Sequence, residues 1–379
     1  MALTVITEAV KKQEKAILQT YTYLHSIPEW GYEEVKTSAY VEKTLQEHGI
    51  NTKRITETGL IAEINSGLPG PCIGVRADMD ALPFTNEKGE NYYCHACGHD
   101  GHTTMGLWTL LMLKELGLVK KGKIRGIFQP AEEKLTGAKS MLKAGAAKGL
   151  DEFYGVHIRP IQEIPYGKAA PALWHGASIM AEIVISGQTA HGARPHLGAN
   201  AIDASALVIL AINSIWLNPS DTWSVKVTRI HSGGAIINVI PDKAVLSLDL
   251  RAATNTLMQE LTTKLENACK NAAAAAGCSA KLSLGVTVPA AEYDQSCIDV
   301  LAAAIVKVLG QENYVPPLVT PGSDDFHEYK VADPKLKTAF LALGSDAVPG
   351  LHNPTMHFNT NALFNGVAIL TEALASRVE

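Results

Sequence analysis

Apolar residues recur at helical spacing over Val5 to Leu24 and again over Lys36 to His48, where Gly49 supplies the stop. Further on the pattern shortens into nearly continuous apolar runs at Leu60–Asn65, Cys72–Ala77, Ile124–Gln129 and Tyr154–Ile158, each bounded by Gly, Pro or polar residues. Runs of that kind suit strands buried on both faces of a largely parallel sheet. A helical pattern from His102 to about Leu116 lies between the second and third of them. This alternation predicts an α/β domain, a mixed and mostly parallel sheet flanked by helices.

The rhythm changes over residues 177–287. There it reads as strand Ile179–Ser186, helix Asn200–Trp216, strands Thr222–His231 and Ala244–Leu250, helix Leu257–Ala276 and strand Ser279–Leu284. That order is the split β-α-β-β-α-β unit of ferredoxin-like α+β folds. The first pattern resumes at Asp299–Leu309 and Thr338–Leu343. The expected organisation is a main domain in two parts, 1–176 and 288–379, interrupted by an inserted ferredoxin-like domain, 177–287.

Composition narrows the function classes. The chain has 379 residues, 46% apolar and 19% charged, with a net charge of −5, so nothing basic points to nucleic acid. No apolar run reaches the ~20 residues of a membrane-spanning helix, and the N-terminal Lys11, Lys12 and Lys15 are not followed by a secretory h-region. Six cysteines, Cys72, Cys94, Cys97, Cys269, Cys278 and Cys297, show no regular spacing and do not form a disulfide framework, which fits a reducing cytoplasm.

The candidate chemistry concentrates in Cys94-His95-Ala96-Cys97-Gly98-His99-Asp100-Gly101-His102, where thiol, imidazole and carboxyl donors fall within nine residues. Cys and neutral His are first-choice ligands of zinc and related ions. Cys94 and Cys97 also form a C-x-x-C, so a redox pair is the competing reading. A closed structural zinc site usually takes a second paired motif, and the other four cysteines supply none; a metal here would occupy an open, reactive site. Glu132 and Glu133, after Pro130, would stand at the carboxyl end of a strand, where open α/β sheets place their sites. One could bind metal while the other moves protons, or both could be a solvated acidic pair. His157, His352 and Asp80 are individually ambiguous, as a core imidazole, a loop histidine and a helix-capping acid.

Taken together, Arg76–Leu82, His95–His102, Gln129–Glu133, Val156–Pro160, Gly187–Pro195, Asn238–Asp242 and Leu351–Pro354 follow the order and approximate spacing of a metallo-amidohydrolase family. The chain resembles this family from about Leu24 to Phe358. Its members include aminoacylases, hippurate hydrolases, N-acetyl-diaminopimelate deacetylases and auxin-amino-acid conjugate hydrolases, with a distant likeness to carboxypeptidase G. The resemblance implies hydrolysis of N-acyl amino acids or related conjugates at a centre of two divalent ions per subunit, zinc or manganese, with cobalt or nickel also compatible. It implies that Cys97, His99, Glu133, His157 and His352 are the protein ligands, with Cys97 bridging. It implies Glu132 as general base and Asp80 as an acid that orients a ligand or tunes the base. It also implies that the inserted domain is a lid and dimerisation domain. From it a partner subunit's His191 would stabilise the oxyanion, and Asn238 and Arg251 would hold the substrate carboxylate.

Competing expectations are a dipeptidase or carboxypeptidase on the same scaffold, a non-catalytic metal-binding protein, and a thiol oxidoreductase using Cys94 and Cys97. The chain departs from the family pattern at Asp324, where Glu is common, at Cys94, where Met is common, and at Lys134-Leu135-Thr136, which replaces a Gly-rich turn beside Glu133.

Overall fold

The computed structural model describes residues 5–379. These fold into two compact units: one built from the chain through Trp174 together with Glu292–Val319 and Asp324–Glu379, the other from His175–Ala291 and Thr320–Ser323.

The first unit is organised by a seven-stranded sheet in the order Asn51–Arg54, Leu60–Asn65, Lys123–Gln129, Cys72–Asp78, Glu152–Pro160, Lys337–Ala347 and Ala169–Ala170. The sheet is mixed. Its four central strands, Lys123–Gln129 through Lys337–Ala347, run parallel, and the strands at both edges are antiparallel. Every residue of Cys72–Asp78 and Glu152–Pro160 is buried, as expected of strands covered on both faces.

The helix His99–Glu115 is buried on every residue from His99 through Leu113. Such a helix must be enclosed all round, and it packs on Cys72–Asp78 and Lys123–Gln129 beneath the outer helices Val5–His25 and Ala362–Ala375. It starts at His99, three residues before the apolar periodicity begins, because its first turn is polar side chains buried for reasons other than core packing. Also absent from the apolar pattern are the hairpin Leu82–Thr85/Asn91–Cys94 and the short helix Gly137–Lys143, whose alternation is too brief to register.

The second unit is a four-stranded antiparallel sheet in the order Trp223–Ser232, Lys243–Ala252, Ala177–Ser186 and Ser279–Val288. The helices Ala201–Asn213 and Asn255–Ala275 pack onto it around Ile183, Ile185, Leu246, Leu250, Val208, Leu261 and Leu265. Both helices are capped by side chains: Asn200 accepts from the Ile202 amide at 3.0 Å and Thr254 from the Leu257 amide at 3.1 Å. No described helix is long and apolar enough to cross a membrane.

Candidate metal centre

The parallel strands of the first unit bring their carboxyl ends to one edge of the sheet, and the candidate groups gather there. Cys72–Asp78 ends on Asp78, with Asp80 two residues beyond; Lys123–Gln129 leads through Pro130 to Glu132 and Glu133; Glu152–Pro160 carries His157; and His352 lies on the loop after Lys337–Ala347. Cys97 and His99 flank Gly98, whose φ of 88° lies in the left-handed region. A Cβ at Gly98 would sit 2.3 Å from Ile158 Cδ1, so only glycine brings the thiol and the first imidazole of the helix this close to the strand of His157.

The five candidate ligands fall into two groups that overlap at Cys97, and Glu132 forms a further group with His99 and Glu133. Cys97, His99 and His157 lie within 4.8 Å of one another, as do Cys97, Glu133 and His352, and Cys97 belongs to both. Cys97 Sγ is 3.4 Å from His157 Nε2, and His352 Nε2 is 3.4 Å from Glu133 Oε1. Every one of the five candidate ligands is therefore in the cluster. His99 Nε2 and Glu133 Oε1 are buried with no hydrogen-bond partner, an arrangement that costs stability unless something else engages them. Two unpartnered ligand atoms beside a buried thiol and two further imidazoles fit a divalent ion.

Electrostatics lead to the same conclusion. Burial, with help from the nearby Glu133, pushes the Cys97 thiol well above its usual range. Burial raises Glu133 to about 7 and drives His157 well below its usual value. Burial also opposes charge on His99, but Asp78 and Cys97 outweigh it and raise the imidazole well above the ordinary range. The anionic ligand forms are thus disfavoured in the metal-free pocket, a preference that a dication reverses.

The supporting hydrogen bonds fix these groups in place. Asp80 Oδ1 is 3.2 Å from His99 Nδ1 and also accepts the Glu132 amide at 3.1 Å, while Oδ2 accepts the Glu133 amide at 3.0 Å. One carboxylate thus orients a ligand ring and the turn that carries Glu132. His157 Nδ1 faces its neighbour's carbonyl, Ile158 O, at 2.6 Å, leaving Nε2 toward Cys97. Ala131, at φ 54°, and His352, at φ 63°, hold the left-handed conformation next to or at candidate ligands, and such strain persists only where neighbours enforce it. For Ala131 the enforcing neighbour is buried Glu34, whose Oε1 accepts the Ala131 amide at 2.8 Å.

Several groups without an assigned role in the motifs turn out to be part of the site. Fully buried Arg76 pairs with Asp78, Asp324 and Asp325, reaching Asp325 Oδ1 at 2.9 Å and Asp324 Oδ1 at 3.1 Å. Asp78 faces His102 Nδ1 at 2.7 Å, and His102 Nε2 accepts the Ile158 amide at 3.0 Å. Glu132 is buried beside Asp324 and Asp325, and burial followed by the charges of Asp324, Glu133 and Asp325 raises its proton affinity well above that of an ordinary carboxylate. Arg76 and Asp78 stand in the quoted motif; the signal for their role was two charged side chains on a strand buried on both faces.

Cys94 lies outside both donor groups, with Sγ 3.7 Å from Pro354 O, and it is not bonded to Cys97. Burial raises the thiols of both Cys94 and Cys97, the reverse of the depressed values that mark reactive redox cysteines.

His191, Asn238 and Arg251 belong to the second unit. His191 is exposed on a two-residue ladder, Ala190–His191 with Val239–Ile240, and its Nδ1 accepts the Ala193 amide at 3.0 Å. Asn238 is exposed beside it, its carbonyl accepting the Gly192 amide at 2.8 Å. Arg251 donates through Nε to both Asp249 oxygens, at 3.1 and 3.2 Å.

Residues 74–376 match the model of peptidase family M20/M25/M40. The chain is 32% identical to IAA-amino acid hydrolase ILR1-like 2 of Arabidopsis thaliana, covering 91% of this chain and 81% of that protein. It is 31% identical to hippurate hydrolase of Campylobacter jejuni, over 90% and 91% of the two. Among solved structures, the YXEP protein of Bacillus subtilis, described as a dinuclear metal-binding peptidase from the M20 family, superposes with a TM-score of 0.82 at 28% identity over 97% of this chain and 98% of that one. This chain belongs to peptidase family M20/M25/M40 and is a metal-dependent hydrolase of amide bonds.

Proposed function

We propose that the protein is an aminoacylase-like amidohydrolase that cleaves N-acyl amino acids or closely related amino-acid conjugates, releasing a carboxylate and a free amino acid. The observation that carries this reading is the pair of donor groups sharing Cys97 next to buried Glu132. Names of similar proteins support the substrate class: IAA-amino acid hydrolase, N-acetyl-L-cysteine deacetylase of Bacillus subtilis and hippurate hydrolase each name an amino acid carrying an acyl or conjugated group.

Cys97, His99 and His157 would hold one divalent ion and Cys97, Glu133 and His352 a second, zinc or manganese, with cobalt or nickel as alternatives. Bound there, the ions supply the positive charge that polarises the scissile carbonyl and acidifies the attacking water. Glu132 takes the proton of that water and delivers it to the amide nitrogen, which leaves only once protonated. Burial and the neighbouring carboxylates favour its protonated form, and the charge of bound ions would favour the ionised form that a base requires. Asp80 keeps His99 and the Glu132–Glu133 amides in register during the exchange.

The second unit serves as lid and dimerisation domain in this reading. His191, supplied in trans, donates to the oxyanion of the tetrahedral intermediate, and Asn238 and Arg251 receive the substrate carboxylate. For Arg251 this requires sharing a guanidinium that Asp249 already engages. A C2 homodimer follows.

The test is metal analysis of the purified protein with turnover of N-acetyl, N-benzoyl and N-arylacetyl amino acids against dipeptides. Two ions per chain with turnover of the acylated compounds supports the proposal; turnover confined to dipeptides with a free amine replaces it with a peptidase. In mixed dimers, inactive His191→Ala subunits regain activity from inactive Glu132→Gln subunits if His191 acts in trans; no recovery overturns that part.

A further inference from the structure

The turn that carries Glu132 and Glu133 is gripped from outside by a strap formed by Glu29–Glu34. At one end the strap touches the loop of Asp80: the Glu29 carbonyl accepts the Ala81 amide at 2.8 Å, and Trp30 bridges Ala81. At the other end it meets the Glu132–Glu133 turn at four points. Lys134 Nζ donates to Gly31 O at 2.6 Å. The same ammonium lies 4.8 Å from the Trp30 ring centre and 5.4 Å from that of Tyr32, within cation–π range of both. Tyr32 Oη donates to Thr136 Oγ1 at 2.8 Å, and Glu34 takes the Ala131 amide. Gly31 is pressed so closely that a Cβ there would sit 2.9 Å from Ala131 Cα and 3.2 Å from Lys134 Cδ.

The gripped turn needs holding. Ala131 (φ 54°) and Leu135 (φ 55°) bracket Glu132–Lys134 in the left-handed region, and so does Tyr32 (φ 70°) in the strap. Non-glycine residues keep that conformation only where surroundings impose it. Lys134-Leu135-Thr136 stands where the resemblance predicts a Gly-rich turn, so backbone freedom is replaced here by side-chain contacts.

We propose that Lys134 is a positioning residue: its ammonium, held by the Gly31 carbonyl between the Trp30 and Tyr32 rings, locks the turn so that the carboxylates of Glu132 and Glu133 face the metal centre. The assignment rests on the reading of Cys97 and Glu133 as metal ligands. It makes Lys134 a mechanical part and not a substrate contact, and it assigns Trp30 and Tyr32 a role that neither burial nor core packing requires.

The experiment strips the full-length protein of metal and titrates it with Co²⁺, following the thiolate-to-cobalt absorption that reports ligation by Cys97, and then measures kcat and KM on N-benzoylglycine. Lys134→Met should weaken cobalt binding about tenfold and lower kcat by about as much at unchanged KM, the usual scale for losing a group that orients a ligand. Lys134→Arg, which keeps the charge and can stack on the same rings, should lose less of both cobalt affinity and kcat than Lys134→Met. Gly31→Ala approaches the contact from the other side and should reproduce the Lys134→Met pattern; thermal melts of each variant identify any that fail to fold. The proposal is overturned if folded Lys134→Met binds cobalt and turns over as wild type does, if it raises KM alone, or if Lys134→Arg is as impaired as Lys134→Met. Absence of the thiolate–cobalt band in the wild type would remove the metal centre itself, and this proposal with it.

Discussion

The two donor groups that share Cys97 differ in how they meet water. In one, His99, His157 and Cys97 are all buried, and each imidazole is braced from behind, His99 by Asp80 and His157 by the Ile158 carbonyl. In the other, Glu133 is nearly as enclosed, but the His352 side chain is 58% exposed, on a loop residue of positive φ. A buried donor that loses its ion is left unpaired in a poorly solvating interior, whereas an exposed imidazole exchanges the ion for water at little cost. The buried group should therefore hold its ion more tightly, and the exposed one should exchange it faster. The supporting charges are buried as well: Arg76 pairs with Asp78, Asp324 and Asp325, and Asp78 Oδ2 lies 3.8 Å from His99 Nε2.

The comparison can be broken first at that support. Arg76→Met leaves three buried carboxylates without a counter-charge and should destabilise the protein by about 3–5 kcal/mol, read from denaturant unfolding; a loss below about 1 kcal/mol would show that the network is not what braces the buried half. Next, His157→Ala should weaken binding of the tighter ion by more than about a hundredfold, since a direct ligand should cost at least as much as a group behind one, and zinc competition measures it. An equal effect from His352→Ala would erase the difference between the two halves.

The pH dependence follows with a definite sign. Glu133, raised to about 7, is protonated on the acid side of that value and must release its proton to bind an ion, and the Cys97 thiol, raised well above its usual range, must do so at every working pH. Metal affinity should therefore fall as pH falls, by at least about tenfold per unit for the thiol proton, and more steeply below about pH 7. A flat profile between pH 8 and pH 6 would contradict the protonation states derived for the pocket. The smallest effect expected is on folding: His352→Ala should change metal-free stability by less than about 0.5 kcal/mol, because its side chain is largely exposed.

How much of this was legible in the sequence depends on where each constraint is written. Cys97, His99, Glu133, His157 and His352 stand in short motifs at strand ends or loops, and the resemblance carried by those motifs singled them out as candidate ligands. The strands Cys72–Asp78 and Lys123–Gln129 were legible because burial on both faces forces continuous apolar runs. The antiparallel edges were not, since partner choice leaves no mark in a four-residue strand such as Asn51–Arg54. Least legible were the braces. Arg76 finds Asp324 248 residues away, and Glu34 reaches the Ala131 amide across 97 residues; neither spacing has a local signature. Lys134 read as a substitution in a turn until its neighbours Trp30 and Tyr32 were in place.

The central claim, that Glu132 moves the proton for a centre it does not itself ligate, is tested most directly by reconstituting wild-type and Glu132→Gln protein with zinc and measuring N-benzoylglycine hydrolysis at equal metal content. Both proteins should hold the same two ions per chain, and Glu132→Gln should lose turnover by about a hundredfold to ten-thousandfold. Full turnover in Glu132→Gln, or loss of an ion along with the activity, would contradict that claim.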